Sequence, residues 1–163
     1  MNKKLLDEMN VQINKEIYSG YLYLSMAAHF EAENLPGFAH WMTMQAEEEL
    51  EHAMKFFKFI NEVGEKVVLD AIDKPDSNFG SPVKVFEQVL EHEKFVTSRI
   101  HLLYKLALEL NDYPTQMFLQ WFVNEQVEEE VHATEILERL KIVGDSGNGL
   151  IMIDRSLAAR KAD

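Results

Sequence analysis

Four long stretches of the chain place apolar side chains at alternating intervals of three and four residues, and each is predicted to form an amphipathic helix. Proline occurs only between these stretches or at their starts. The first stretch runs from about Lys4 to Ala32, aligns Leu6, Met9, Ile13, Ile17, Gly20, Leu24 and Ala27, and stops at Asn34. The second opens near Pro36, whose ring is tolerated in a first turn, and carries Phe38, Met42, Phe56, Ile60 and Val63 to a stop at Gly64. Ser81-Pro82 reads as an N-cap followed by proline at the first helical position. It opens a third helix with Phe86, Val89, Ile100, Leu103 and Ala107, ended by Asn111 and Asp112. A fourth helix, from near Pro114, carries Phe118, Phe122, Ile136, Leu140 and Val143 to Gly144. Asp145-Ser146-Gly147-Asn148-Gly149 reads as a hinge before a short fifth helix from Leu150 to Arg160.

The links between these helices decide the topology. Tight turns join the first helix to the second and the third to the fourth, so each pair is antiparallel. Residues 65 to 81 have no helical period and read as a long connection, with Val67 to Leu69 anchoring it on the bundle. Extended, that link could reach about 55 Å, whereas a helix of about 28 residues is about 42 Å long. The expectation is an all-α chain forming one domain over residues 1–163: a four-helix bundle over about 4–144, one long crossover between helices 2 and 3, and a short C-terminal helix over about 150–160.

The apolar stripes are interrupted by acids. Glu16 falls beside Ile13, Ile17 and Gly20 on the first helix, and Glu49 and His52 fall between Met42 and Phe56 on the second. Glu93 is in register with Phe86, Val89 and Ile100, and Glu125, Glu129 and His132 lie between Phe122 and Ile136. Counted from one end of the bundle, Glu16, Glu49, Glu93 and Glu129 sit at depths of roughly 17 to 26 Å, so they can meet at its middle. Four bare carboxylates cannot share a dry core, since burial costs several kcal/mol for each and their repulsion adds to it. Two divalent cations would neutralise them. Glu49-x-x-His52 and Glu129-x-x-His132 place an acid and an imidazole on one helix face. One Glu from each of two helices and Glu-x-x-His from the other two is the established ligand pattern of di-iron carboxylate bundles. The competing reading is that these acids lie on solvated helix faces. Glu47 and Glu51 point away from the Glu49 stripe, Glu51 is spaced to pair with Lys55, and both read as surface.

Composition narrows the chemistry. The 163 residues, 47% of them hydrophobic, suffice for one buried core. With 16 basic and 28 acidic side chains, the formal charge of −12 has the wrong sign for holding nucleic acid or an anionic membrane, and suits a cationic substrate. The absence of cysteine leaves metal binding to carboxylate and imidazole and fits a cytoplasmic location. The N-terminal MNKKLLDEMNVQ has helical spacing rather than the apolar block of a secretory signal, and no window is apolar enough to span a bilayer.

Several segments carry a family resemblance across essentially the whole chain. They are Asn14-Lys15-Glu16-Ile17-Tyr18-Ser19, Gly37-Phe38-Ala39-His40-Trp41-Met42, Glu48-Glu49-Leu50-Glu51-His52-Ala53 and the run from Phe118 to Glu130, FLQWFVNEQVEEE. The sequence resembles the prokaryotic non-haem ferritins. The resemblance implies a ferritin-like four-helix bundle that oxidises Fe(II) with dioxygen and stores Fe(III) mineral in a hollow cage of twenty-four subunits. It implies that Glu16, Glu49 and His52 bind a first iron, and that Glu49 bridges to a second held by Glu93 and Glu129, with Gln126 close by. Glu48, Glu125 and Glu128 match residues that hold a third iron in related proteins, the alternative being spare surface acids. Tyr23 matches a tyrosine that can donate an electron, the alternative being a packed core aromatic. Many non-haem ferritins lack a histidine at the position of His132, whereas bacterioferritins use one as a ligand, so the resemblance leaves its role open. Leu50 stands near the position of the bacterioferritins' haem-binding methionine, which implies no haem by that route. His29, His40, His92 and His101 have no carboxylate partner in the stripes and read as packing or surface residues. Two rival readings are a di-iron peroxidase or oxygenase of the rubrerythrin kind, disfavoured by the missing cysteine-bound iron module, and a helical interaction module with structural zinc or no metal.

Overall fold

Each of the helices is opened by a side chain that satisfies amides the helix itself leaves free. In the computed structural model, which describes residues 1–161, Asn2 accepts from Lys4 N at 2.9 Å and starts α1 (Lys3–Ala32). Ser81 caps α3 (Pro82–Glu109), Asp112 caps α4 (Tyr113–Val143) and Ser146 caps α5 (Gly147–Leu157). The start of α2 (Pro36–Glu62) has no cap of its own: the carboxylate of Asp154, on α5, accepts from Gly37 N at 2.8 Å and Phe38 N at 3.0 Å. The turns after α1 and α3 pass through Asn34 (φ 58°) and Asn111 (φ 53°), a conformation that asparagine tolerates better than most residues. The expected helix boundaries hold within a residue or two except at α5. Ser146 caps it, so Gly147, Asn148 and Gly149 belong to the helix instead of a hinge, and Arg160 lies beyond its end.

The helices form an all-α bundle in which α1 pairs with α2 and α3 with α4, while α5 packs on α2 and α4. The long link runs beside α1 from one end of the bundle to the other. Asn10 accepts from Val68 N, Asn14 donates to Ala71 O, Ser25 donates to Asp76 O and His29 Nε2 lies 2.9 Å from Gly80 O. Polar contacts, with buried Pro75 and Phe79, hold it there. Val67 packs on the core as expected, whereas Val68 and Leu69 face outward, because the backbone hydrogen bonds to α1 fix that segment. No described helix is long and apolar enough to cross a membrane.

Two dry clusters make up the core. One contains Tyr23, Phe30, Phe38, Met42, Phe86, Val89 and Ile136, and the other Met9, Ile13, Phe56, Val96, Ile100, Leu119 and Phe122. Of the expected α1 stripe, Met9, Ile13, Gly20 and Ala27 are buried, while Leu24 is exposed and Leu6 and Ile17 are half-buried; Leu5, Gln12, Glu16, Tyr23, Met26 and Phe30 complete the buried face. Between the clusters lies a belt of buried polar side chains, Gln12, Glu16, Ser19, Gln45, Glu49, His52, Glu93, Gln126 and Glu129.

Candidate metal centre

The belt is built by all four long helices. Glu16, Glu49 and Glu93 are each 1% exposed and Glu129 4%, so every one of the four acids expected in the core is there. Gly20, one turn beyond Glu16, lets the helices approach closely: an added Cβ would lie 3.1 Å from Ala46 O and 3.6 Å from Glu49 Cβ. Glu16, Glu49 and His52 each bring a ligand atom within 4.8 Å of one another, and Glu48, His52, Glu125 and Glu129 do the same. We call these the inner and outer groups. His52 faces both, with Nδ1 3.4 Å from Glu49 Oε2 and Nε2 3.8 Å from Glu125 Oε1, and the edges of Trp121 and Phe122 hold its ring.

Amides and one phenol orient the acids. Gln12 Nε2 donates to Glu16 Oε1 at 2.8 Å, Gln45 Nε2 to Glu129 Oε2 at 2.6 Å, and Gln126 Nε2 to Glu93 Oε2 at 3.2 Å. The buried Tyr23 hydroxyl donates to Glu93 Oε1. Glu16 Oε2 and Glu49 Oε2 are buried without a hydrogen-bond partner among the described residues. In a protein interior such orphaned acceptors are rare and costly, and these two lie in one group of possible ligands.

Burial dominates the electrostatics. It pushes the Glu16 carboxyl up and that of Glu49 well up, Glu49 being raised further by Glu93 and Glu16. Glu93 rises to about 7 and Glu129 to about 8, again chiefly by burial, with Glu93 and Glu48 adding to the shift of Glu129. For His52 burial opposes the charged ring, but Glu125, Glu49 and Glu16 outweigh it and raise its value to about 11. Glu125 is lowered by the nearby His52 ring. Without a cation, burial therefore favours the protonated form of these acids, and the neighbouring acids favour the imidazolium of His52. A divalent ion would displace these protons, since carboxylate and neutral imidazole are the ligating forms.

This has a consequence for the metal-free protein. The folded-state values of Glu93 and Glu129 lie above the ordinary 4.5. Their contribution to stability is complete below that value and is lost as pH rises through about 7 and about 8. After chelation, the melting temperature should fall between pH 5 and 8.5, and the fall should be smaller in Glu93→Gln and Glu129→Gln. Thermal unfolding across that range checks this; an equal fall in all three proteins would contradict it.

Not every predicted residue stands in one of the two groups, although Glu93 lies in the buried belt. Glu93 stands in neither group, its two oxygens being taken by Tyr23 and Gln126. Glu129 faces Glu48 and Glu125. Glu128 and His132 are exposed, because the inward face of α4 follows Gln126, Glu129, Ala133 and Ile136 and leaves them at its margin. Sequence reasoning missed Gln12, Gln45 and Arg160. The two glutamines were open to detection, each standing four residues before a core glutamate in an apolar stripe. Arg160 left no such trace, since its partners lie over a hundred positions away: Glu48 Oε2 at 2.5 Å and Gln45 Oε1 at 2.7 Å.

Comparison with known proteins identifies the family. The family model described as "Ferritin-like domain" matches residues 6–143. A bacterial non-heme ferritin of Bacteroides fragilis is 41% identical over 160 residues, covering 98% of this chain and 99% of that protein. One from Campylobacter jejuni is 39% identical over 155 residues, covering 95% of this chain and 93% of its own. Among solved structures, an open pore ferritin from the hyperthermophilic archaeon Archaeoglobus fulgidus superimposes with a TM-score of 0.98 at 47% identity, covering 99% of this chain and 98% of that one. An engineered closed form of the Archaeoglobus fulgidus protein gives the same TM-score and identity, over 100% and 99% of the two chains.

Proposed function

This chain belongs to the ferritin family and is an iron-storage protein, and from that premise we propose that it is a ferroxidase whose substrate ions bind in the buried acidic belt. The observation that carries the proposal is the convergence of Glu16, Glu49, His52, Glu93 and Glu129 from four helices into a buried centre, where two carboxylate oxygens have no hydrogen-bond partner among the described residues. Two Fe(II) ions bind there as substrate, the first at Glu16, Glu49 and His52 and the second on Glu129 and Glu93. Hard oxygen ligands suit iron in both oxidation states. Each ion gives up one electron, so a pair supplies two to dioxygen, and the Fe(III) formed leaves for storage. Tyr23, hydrogen-bonded to Glu93, is placed to act as an additional one-electron donor. Glu48 and Glu125 with His52 and Glu129 provide a further position beside this centre, where Glu125 and Glu48 are only partly buried.

Storage requires an enclosed space, and the reading extends to a cytoplasmic cage of twenty-four copies of this single-domain chain. Supporting it are the net charge of −12, which draws cations, and apolar side chains left outward on several helices, among them Leu24, Ile142 and Met152. Such a shell would elute at several hundred kilodaltons against 18.9 kDa for one chain. The chemistry is tested by giving the anaerobic protein about two Fe(II) per subunit and mixing it with oxygen. Oxidation should be much faster than in protein-free buffer, and equal rates would discard the ferroxidase centre.

A further inference from the structure

The C-terminal residues beyond α5 reach back to the centre through one side chain. Arg160 Nη2 donates to Glu48 Oε2 at 2.5 Å, and Nη1 donates to Gln45 Oε1 at 2.7 Å and to Trp41 O at 3.4 Å. Its guanidinium lies 4.8 Å from the centroid of the Trp41 ring, and its carbonyl oxygen is 2.7 Å from His40 Nε2. Four residues of α2 therefore fix it. Most side-chain ion pairs of the described chain join residues three or four apart on exposed helix surface and contribute little. The Arg160–Glu48 pair differs: both side chains are less than one-fifth exposed and 112 positions separate them.

The contacts fit two linked tasks. Glu48 is a member of the outer group, so the guanidinium holds an acid that a bound cation would need. Gln45 accepts from Arg160 and donates to Glu129, so the same guanidinium fixes which end of that amide faces the centre. Building on the metal-centre reading above, we propose that Arg160 is a resident counter-ion of the outer group: it pairs with Glu48 when no cation is bound there, and a cation enters only by displacing it. Arg160 is thus a positioning residue that sets the threshold at which Glu48, His52, Glu125 and Glu129 take up an ion. A guanidinium suits this task, being permanently charged and able to grip a carboxylate and an amide oxygen together.

The test is a Co(II) titration of the assembled protein under anaerobic conditions, followed by the visible absorption of the bound ion. Wild type should fill the inner group first and the outer group later, with the outer step absent in Glu48→Gln. In Arg160→Gln the outer step should shift to about tenfold lower Co(II), because a positive charge beside the ligands is gone, while the inner step stays in place. Arg160→Lys keeps the charge but loses the planar fork and should lie between the two. In the Glu48→Gln background, Arg160→Gln should change nothing further. An outer step that is unmoved or weaker in Arg160→Gln would overturn the proposal, as would an equal shift with Glu48 already replaced. A wild type that binds no Co(II) would instead overturn the metal-centre reading, and this inference with it.

Discussion

Replacement of Glu49 by alanine is expected to slow Fe(II) oxidation by at least ~100-fold, equivalent to about 2.7 kcal/mol of activation free energy. Glu49 has the greatest leverage in the belt. It belongs to the inner group, is 1% exposed, lies beside His52 and interacts electrostatically with Glu93 across the belt. Its removal leaves the inner group with Glu16 and His52 alone. The isosteric change Glu49→Gln separates this chemistry from folding. It eliminates a buried acid whose carboxyl is pushed well above its ordinary value, so the metal-free variant should melt higher than wild type although its oxidation is equally slow. Stopped-flow absorbance after mixing with oxygen and thermal unfolding after chelation give the two readouts. A variant that oxidises iron at the wild-type rate would remove Glu49 from the site, and a lower melting temperature for Glu49→Gln would show that its carboxylate is not a burden on the fold.

The second large effect lies at the far end of α2. A methyl group at Gly37 would stand 1.7 Å from Asp154 O and 2.5 Å from the carbonyl carbon, both backbone atoms of α5 that no rotamer change can move aside. Gly37→Ala should therefore dislodge α5 from the bundle. Lost with it are the two hydrogen bonds by which Asp154 caps α2 and the burial of Ile153 and Leu157, together about 3 kcal/mol or more. Unfolding in denaturant should show a lower midpoint, and protease should cut within residues 147–157 while the four-helix core survives. Wild-type stability in this variant would mean that α5 is not seated as described.

The helices were legible because their determinants are local: prolines in first turns, Ser81 as a cap, stops at Asn34, Gly64, Asn111 and Gly144, and apolar intervals of three and four. The central acids were legible for a related reason, since Glu16, Glu49, Glu93 and Glu129 interrupt stripes that are otherwise apolar. Helix phase was less secure. A shift of one position along α1 places Leu24 inside by pattern, whereas the packed helix buries Tyr23 and Met26. His132 shows the same limit, because a residue three positions from Glu129 is rotated about 60° from it and packing decides on which side of the boundary it falls. Lys55, spaced to pair with Glu51, instead lies over the Trp121 ring, with Nζ 4.1 Å from its centroid. Arg160 and the cap that Asp154 gives to α2 depend on α5 folding back over the bundle, and no local pattern records that.

The division of the interior into two dry clusters changes how the molecule bears load. Both ends are packed by aromatic and aliphatic side chains, while the waist between them is joined chiefly by hydrogen bonds and charge among polar side chains. If iron binds in the waist as proposed, it would join side chains of α1, α2, α3 and α4 at the level where the apolar packing is interrupted.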